Sequence, residues 1–161
     1  MKIRNAISAD FEHILALNQA FVHFTSELDL AKVTRLDQQS CYHKVVDIEG
    51  QLAAFLLVFD QHADYSSPNY TWFKNRYSQF LYIDRVVVSQ QFQSAGLGRS
   101  LYQDLFEFAG ANNYDKVCCE FNLKPANPTS AKFHQGFGFQ SVGEQTLAAD
   151  KLVSMQVKAL T

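Results

Sequence analysis

Apolar and polar positions alternate along this chain with two different periods, and the switches between them outline its elements. Residues 2–7 alternate with period two, as a short, half-buried strand does. Ser8 or Asp10 can then cap a helix. Its apolar side chains return at Phe11, Ile14, Leu15, Phe21 and Val22 with the 3.6-residue period, interrupted by polar Asn18. Residues 26–41 are polar and predict a second, short helix. Residues 43–48 and 52–59 are rich in β-formers, and Glu49-Gly50-Gln51 between them predicts a tight hairpin. In residues 60–79, Pro68 and the serines predict a loop, and the aromatics predict that it packs on something.

Residues 80–88 read as a strand, and Val86-Val87-Val88 as a part buried on both faces. Leu97, Leu101, Leu105 and Phe108 then recur at helical spacing, up to Gly110 or Asn112-Asn113. Residues 117–121 form the next strand. Asn127 as N-cap and Pro128 at the first position open another helix, with Gly138 at its end. Residues 139–147 and 151–159 make a last pair of strands. The strand–helix–strand stretch over 80–121 requires a parallel pair joined by a right-handed crossover, while the hairpins are antiparallel. The pattern predicts an α/β domain: a mixed, mostly antiparallel sheet with helices on both faces.

Composition narrows the function classes. With 161 residues and no linker or repeat, a single domain spanning 1–161 is expected. A net charge of −2 without a basic block argues against nucleic acid as a partner. No apolar stretch reaches the about 20 residues of a membrane helix. The N-terminus lacks the apolar core of a signal peptide, so a cytoplasmic, membrane-free protein is expected. Cys118 and Cys119 are neighbours that point to opposite strand faces; with Cys41 they make neither a disulfide framework nor a zinc site. His13, His23, His43 and His62 show no ligand spacing and read as surface residues, so no metal is expected.

The candidate chemistry starts at Gln93-Ser94-Ala95-Gly96-Leu97-Gly98, between the strand at 80–88 and the helix that follows. Glycines at a helix N-terminus let backbone N–H groups converge on a phosphate with the dipole behind them. The spacing is neither that of a dinucleotide-binding G-x-G-x-x-G nor that of a P-loop. A second signature runs Asn127-Pro128-Thr129-Ser130-Ala131-Lys132-Phe133-His134-Gln135-Gly136-Phe137-Gly138-Phe139.

Together, in this order and at this separation, the two signatures resemble the GNAT superfamily of acyl-CoA-dependent N-acyltransferases. Around residues 80–88 and 119–123 the chain is similar to a little-characterised bacterial branch. The resemblance covers nearly the whole chain and implies a GNAT-like fold with a central, splayed parallel strand pair, 80–88 and 117–121. It implies acetyl-CoA as co-substrate. Backbone groups of Val86, Val87 and Val88 would pair with the pantetheine. Gln93, Ser94, Ala95, Gly96, Leu97, Gly98 and Arg99 would hold the pyrophosphate, with Asn127, Ser130 and Phe133 completing the cofactor set. The implied reaction is acetyl transfer to a primary amine, of a small molecule or a peptide, by direct attack in a ternary complex. His134 stands where many members carry Tyr; it is expected near the thioester sulfur as the acid for the thiolate, although imidazole also serves as a base. Asp84 and Glu120 are the candidates to engage or deprotonate the amine, Asp84 having an ion pair as its alternative. A homodimer is possible in this family.

Three departures stand out: Gln93 where Arg is commoner, Ser94 where Gly is usual, and Ala95 where a basic residue often sits. With the missing Tyr they keep a second reading open, a non-catalytic sensor that binds CoA or acyl-CoA. Trp72, Phe73, Tyr77 and Tyr82 suit an acceptor pocket for an amine, or else a lid stitched to the core.

Overall fold

The computed structural model describes residues 1–23 and 25–160. Its strands are β1 (Lys2–Asn5), β2 (Tyr42–Ile48), β3 (Gln51–Asp60), β4 (Leu81–Val88), β5 (Lys116–Lys124), β6 (Gln140–Ala148) and β7 (Lys151–Ala159). The helices are α1 (Phe11–Gln19), α2 (Leu30–Gln39), α3 (Pro68–Lys74), α4 (Leu97–Ala111) and α5 (Pro128–Gly136). The seven strands form one sheet in the order β1-β2-β3-β4-β5-β7-β6. Strands β4 and β5 run parallel, and the pairs β1–β2, β2–β3, β5–β7 and β6–β7 are antiparallel. This is the mixed, mostly antiparallel α/β sheet that the patterning predicts. The chain divides into two compact units, Met1–Phe59 with Ile83–Glu107, and Asp60–Tyr82 with Phe108–Thr161.

In the first unit the β2–β3 hairpin closes through Glu49 (φ 52°) and Gly50 (φ 83°). Two successive positive φ values make the turn type whose twist matches the strands it joins. Phe11 and Ile14 of α1 and Val33 of α2 pack with Val45, Phe55 and Val87 into one core cluster. Tyr42 and Lys44 alternate with Val45 along β2 and so point to the other face. There Tyr42 Oη (2.7 Å) and Lys44 Nζ (2.8 Å) both donate to Asp104 Oδ2 of α4. Helices therefore cover both faces of this unit's strands. Asp29 caps α2 by accepting from Lys32 N at 2.7 Å. One surface assignment is corrected here. His43 is buried, with Nδ1 2.7 Å from Asp37 Oδ1 and its ring stacked on Phe11. Its period-two position on β2 turns it inward beside Val45.

In the second unit β5 pairs with β4 at Leu81↔Val117 and Tyr82↔Cys118, and with β7 from Lys116↔Ala159 to Lys124↔Leu152. The registers line up Glu120 with Met155, and Met155 with Gly143. Helix α3 corrects the expected loop over 60–79. Pro68 opens a helix: Ser67 Oγ accepts from Tyr70 N at 3.3 Å, and proline at the first helical position loses no hydrogen bond. The aromatics explain why this short helix is held. Tyr70 and Phe73 are fully buried, with Tyr70 centroids 5.7 Å from both Phe80 and Tyr82. Tyr70 Oη donates to the Asp60 carbonyl at 2.6 Å. The faces expected to attract an amine have neighbours of their own: Arg76 lies 3.6 Å from the Trp72 ring centroid and Lys116 Nζ 5.0 Å from that of Tyr77. At the end of α5, Lys158 Nζ of β7 donates to the Phe137 carbonyl at 2.7 Å.

None of the three cysteines forms a disulfide, and burial pushes the thiols of Cys118 and Cys119 well above their ordinary range. Among the described residues, no cluster of His, Cys, Asp or Glu could hold a metal ion, and no helix is long and apolar enough to cross a membrane.

Candidate functional site

The glycine loop lies where the sequence predicts it, at the junction of a strand and a helix. Residues Gln90–Ala95 form a short 3-10 turn capped by Ser89, whose Oγ accepts from Gln91 N at 3.3 Å. Gly96 follows in the left-handed region (φ 73°, ψ 25°), and α4 starts at Leu97. An L side chain at Gly96 would be strained by the backbone alone, since nothing lies within 4 Å of where a Cβ would sit. The first helical bond runs from Ser100 N to the Gly96 carbonyl at 3.1 Å. The N–H groups of Leu97 and Gly98 precede it and have no partner within the helix. Gln93, Ser94, Ala95 and Arg99 are exposed.

Gln93 has a job of its own. Its Nε2 donates to the Val88 carbonyl at 2.9 Å and ties the loop back to β4. Val87 is turned into the core cluster, while Val86 and Val88 are half-buried. Asp84 takes the ion-pair alternative: its Oδ2 accepts from Arg85 Nε at 2.7 Å, with the two side chains 5% and 3% exposed. Arg85 goes on to Asn18 Oδ1 (3.1 Å), the Ser26 carbonyl (2.9 Å) and Ser26 Oγ (2.8 Å). It thereby ties β4 to the segment between α1 and α2. A hollow of about 550 Å³ in this unit is lined by Arg4, Asp10, His13, Phe21 and Gln51 among others, and by none of the predicted site residues.

In the second unit the second signature folds as one device. Asn127 caps α5 by accepting from Ser130 N at 3.2 Å. His134 sits one turn later, 5% exposed, with Nδ1 2.7 Å from the Ser130 carbonyl and 3.2 Å from Ser130 Oγ. Phe121 stacks on the ring at 5.9 Å, and Phe133 and Phe139 meet it edge-on at 5.3 and 5.2 Å. A carbonyl oxygen only accepts, so Nδ1 carries the proton and the neutral ring keeps its lone pair on Nε2. Burial lowers the His134 pKa below 6.5, against the opposing pull of the Ser130 carbonyl. The ring therefore rests neutral at pH 7, and its imidazolium form is a stronger acid than a free histidine's.

Glu120 is held by two side chains. Tyr82 Oη lies 2.9 Å from Oε1 and 3.0 Å from Oε2, and Asn69 Nδ2 donates to Oε1 at 2.9 Å. Neither contact is legible in the sequence, because Tyr82 and Asn69 are 38 and 51 residues away. Glu120 and Phe121 are successive on β5 and point to opposite faces. His134, stacked on Phe121, and Glu120 thus address opposite faces of the same strand.

A sequence model of the acetyltransferase (GNAT) family matches residues 4–139. A search of curated proteins gives no match. Among solved structures, Ard1 from Thermoplasma volcanium is similar at a TM-score of 0.80 and 15% identity, over 99% of this chain and 97% of that one. The ribosomal-protein-alanine N-acetyltransferase from Brucella melitensis has a TM-score of 0.73 at 20% identity, over 99% of this chain and 100% of that one. YncA, a putative acetyltransferase from Salmonella typhimurium solved with its cofactor acetyl-CoA, has a TM-score of 0.73 at 19% identity, over 100% of this chain and 94% of that one. At these identities the structural likeness speaks for the fold. The sequence match covers both signatures, and on it the chain belongs to the GNAT acetyltransferase family.

Proposed function

We propose that this chain is an N-acetyltransferase that moves the acetyl group of acetyl-CoA to a primary amine by direct attack. The observation that carries the reading is the family match over residues 4–139, which includes both the glycine loop and the His134 helix. In the first unit, backbone N–H groups of Ser94, Ala95, Gly96, Leu97, Gly98 and Arg99 would bind the pyrophosphate, helped by the helix dipole and the Arg99 cation. Val86, Val87 and Val88 would offer backbone groups to the pantetheine amides. Gln93 shapes the loop through Val88 and need not touch the phosphates. Asp84 serves Arg85 as a buried countercharge.

In the second unit, Glu120 attracts the ammonium form of the acceptor and takes one proton from it. The free amine then attacks the thioester carbonyl carbon, the C–N bond forms and the C–S bond breaks. His134 gives the departing thiolate its proton. Because the resting ring holds only the Nδ1 proton, it first takes one up at Nε2, and the nitrogen's second proton balances that uptake. The products are the acetylated amine, CoA thiol and one proton. Asn127, Ser130 and Phe133 hold His134 in place and complete the cofactor set. Acceptors of the kind named for structural neighbours, such as the alanine of a ribosomal protein, are the first peptides to try.

The test is release of CoA thiol from acetyl-CoA with a panel of peptides and small amines, read against pH. An acid with a lowered pKa acts only below it, so kcat should fall as pH rises out of the acidic range. His134→Tyr, whose hydroxyl titrates near 10, should keep turnover and move that fall upward by several pH units. Full turnover by both His134→Ala and Glu120→Gln would sink these roles. Tight binding of acetyl-CoA without thiol release by any amine would mark a sensor instead.

A further inference from the structure

The segment that the sequence presents as a loop supplies a side chain to the candidate base. Asn69 on α3 donates through Nδ2 to Glu120 Oε1 at 2.9 Å, and its own Oδ1 accepts from Gln145 Nε2 of β6 at 2.9 Å. The carboxylate only accepts, so it decides which way the amide points, and the bond from Gln145 holds the amide there. With its NH2 end on the carboxylate, Asn69 has Oδ1 left to accept from Gln145. Helix α3 is seated for this by a close approach one turn further on. Trp72 lies over Gly143, where a Cβ would come within 2.7 Å of Cζ2. Gly143, Met155 and Glu120 form one row across β6, β7 and β5, so Trp72 and Asn69 meet the same face of the sheet.

We propose that Asn69, held by Gln145, is a positioning residue for the Glu120 carboxylate, and that residues 60–79 thereby form part of the amine-handling side of the site. This rests on the reading of Glu120 as the group that engages the amine. An N–H donor favours the ionised carboxylate and holds it in one rotamer. Gln145 reaches Glu120 through Asn69, to whose Oδ1 its Nε2 donates. Two separate positions would be additive, whereas a relay is not.

The experiment titrates Glu120 in the ligand-free protein by NMR of 13C-labelled glutamate side chains, with Glu120→Gln identifying its signal. Asn69→Ala should move the midpoint up by about one pH unit, the worth of one charge-assisted bond. Gln145→Met should move it in the same direction by less, and should add nothing in the Asn69→Ala background. Gln145→Met also leaves Asn69 and α3 in place and carries the test alone if Asn69→Ala does not fold. An unmoved midpoint, or a Gln145 effect that persists without Asn69, overturns the proposal. In parallel, turnover of acetyl-CoA with an alanine-first hexapeptide should lose kcat in Asn69→Ala while the KM for acetyl-CoA stays put. If the midpoint moves as expected while Glu120→Gln turns over normally, the positioning stands and the catalytic reading of Glu120 falls.

Discussion

Gly143→Ala is the sharpest perturbation that the fold allows, because one methyl group tests whether α3 is seated on β6. The added Cβ would lie 2.7 Å from Cζ2 and 3.2 Å from Cη2 of Trp72. Carbon atoms in ordinary contact are about 3.5–4.0 Å apart, so the indole must retreat by roughly 1 Å. It cannot simply turn within its place, because Arg76 covers its ring at 3.6 Å and Phe73 meets it at 5.1 Å. Gly143 also sits at φ 158°, a backbone that strains an L residue, so that strain adds to the overpacking and the two together should cost about 1–3 kcal/mol. If α3 follows the indole by the same distance, the 2.9 Å bond from Asn69 to Glu120 passes beyond hydrogen-bond range. Trp72 is the only tryptophan in the chain, so its emission reports on this contact directly. The variant should show a red-shifted emission maximum and a lower urea midpoint at unchanged slope. Because backbone strain at φ 158° lowers the midpoint by itself, the emission maximum decides: if it is unchanged, the claim that β6 supports α3 is refuted.

Three further outcomes follow from the buried titratable groups. His43 and His134 both have pKa values lowered by burial, so unfolding takes up protons once the pH drops below about 6.5, the unfolded value. Stability should be full above that pH and decline from 6.5 downward, and His43→Phe should flatten part of the decline in urea midpoints; a flat wild-type profile contradicts this. Arg85→Leu leaves Asp84 buried without its 2.7 Å partner and should cost about 3–5 kcal/mol. Restoring balance with Asp84→Leu in the same chain should recover a good part of that; equal losses in the single and double variants would count against a buried pair. Arg85→Leu should also speed proteolytic cleavage near Ser26, whose carbonyl and hydroxyl it holds, and an unchanged cleavage rate would deny the tether.

The local devices were legible in the sequence. Asn127-Pro128 reads as a cap and first turn because both roles depend on neighbours within four residues, and the hairpin at Glu49-Gly50 is of the same kind. Pro68 misled because proline both breaks helices and begins them. What decides between the two is burial of Tyr70 and Phe73, a tertiary fact. Asp84 looked available because strand alternation sends its neighbour Arg85 to the other face, yet the long guanidinium reaches back around the backbone to it. The partners of Glu120 were invisible for a different reason. Tyr82 and Asn69 are 38 and 51 residues from Glu120 in the chain, and no local pattern announces bonds of that span.

The bond from Lys158 to the Phe137 carbonyl bears on where this protein can be cut and joined. The recognisable family pattern stops at residue 139, which makes the end of α5 an inviting junction for chimeras with other acetyltransferases. The last turn of the His134 helix, however, is fastened from the strand at the far end of the chain. A graft made at residue 139 would exchange that fastening along with the tail. Swaps intended to transfer acceptor preference should therefore carry β7 together with α5, so that the inherited histidine keeps the anchor with which it folds.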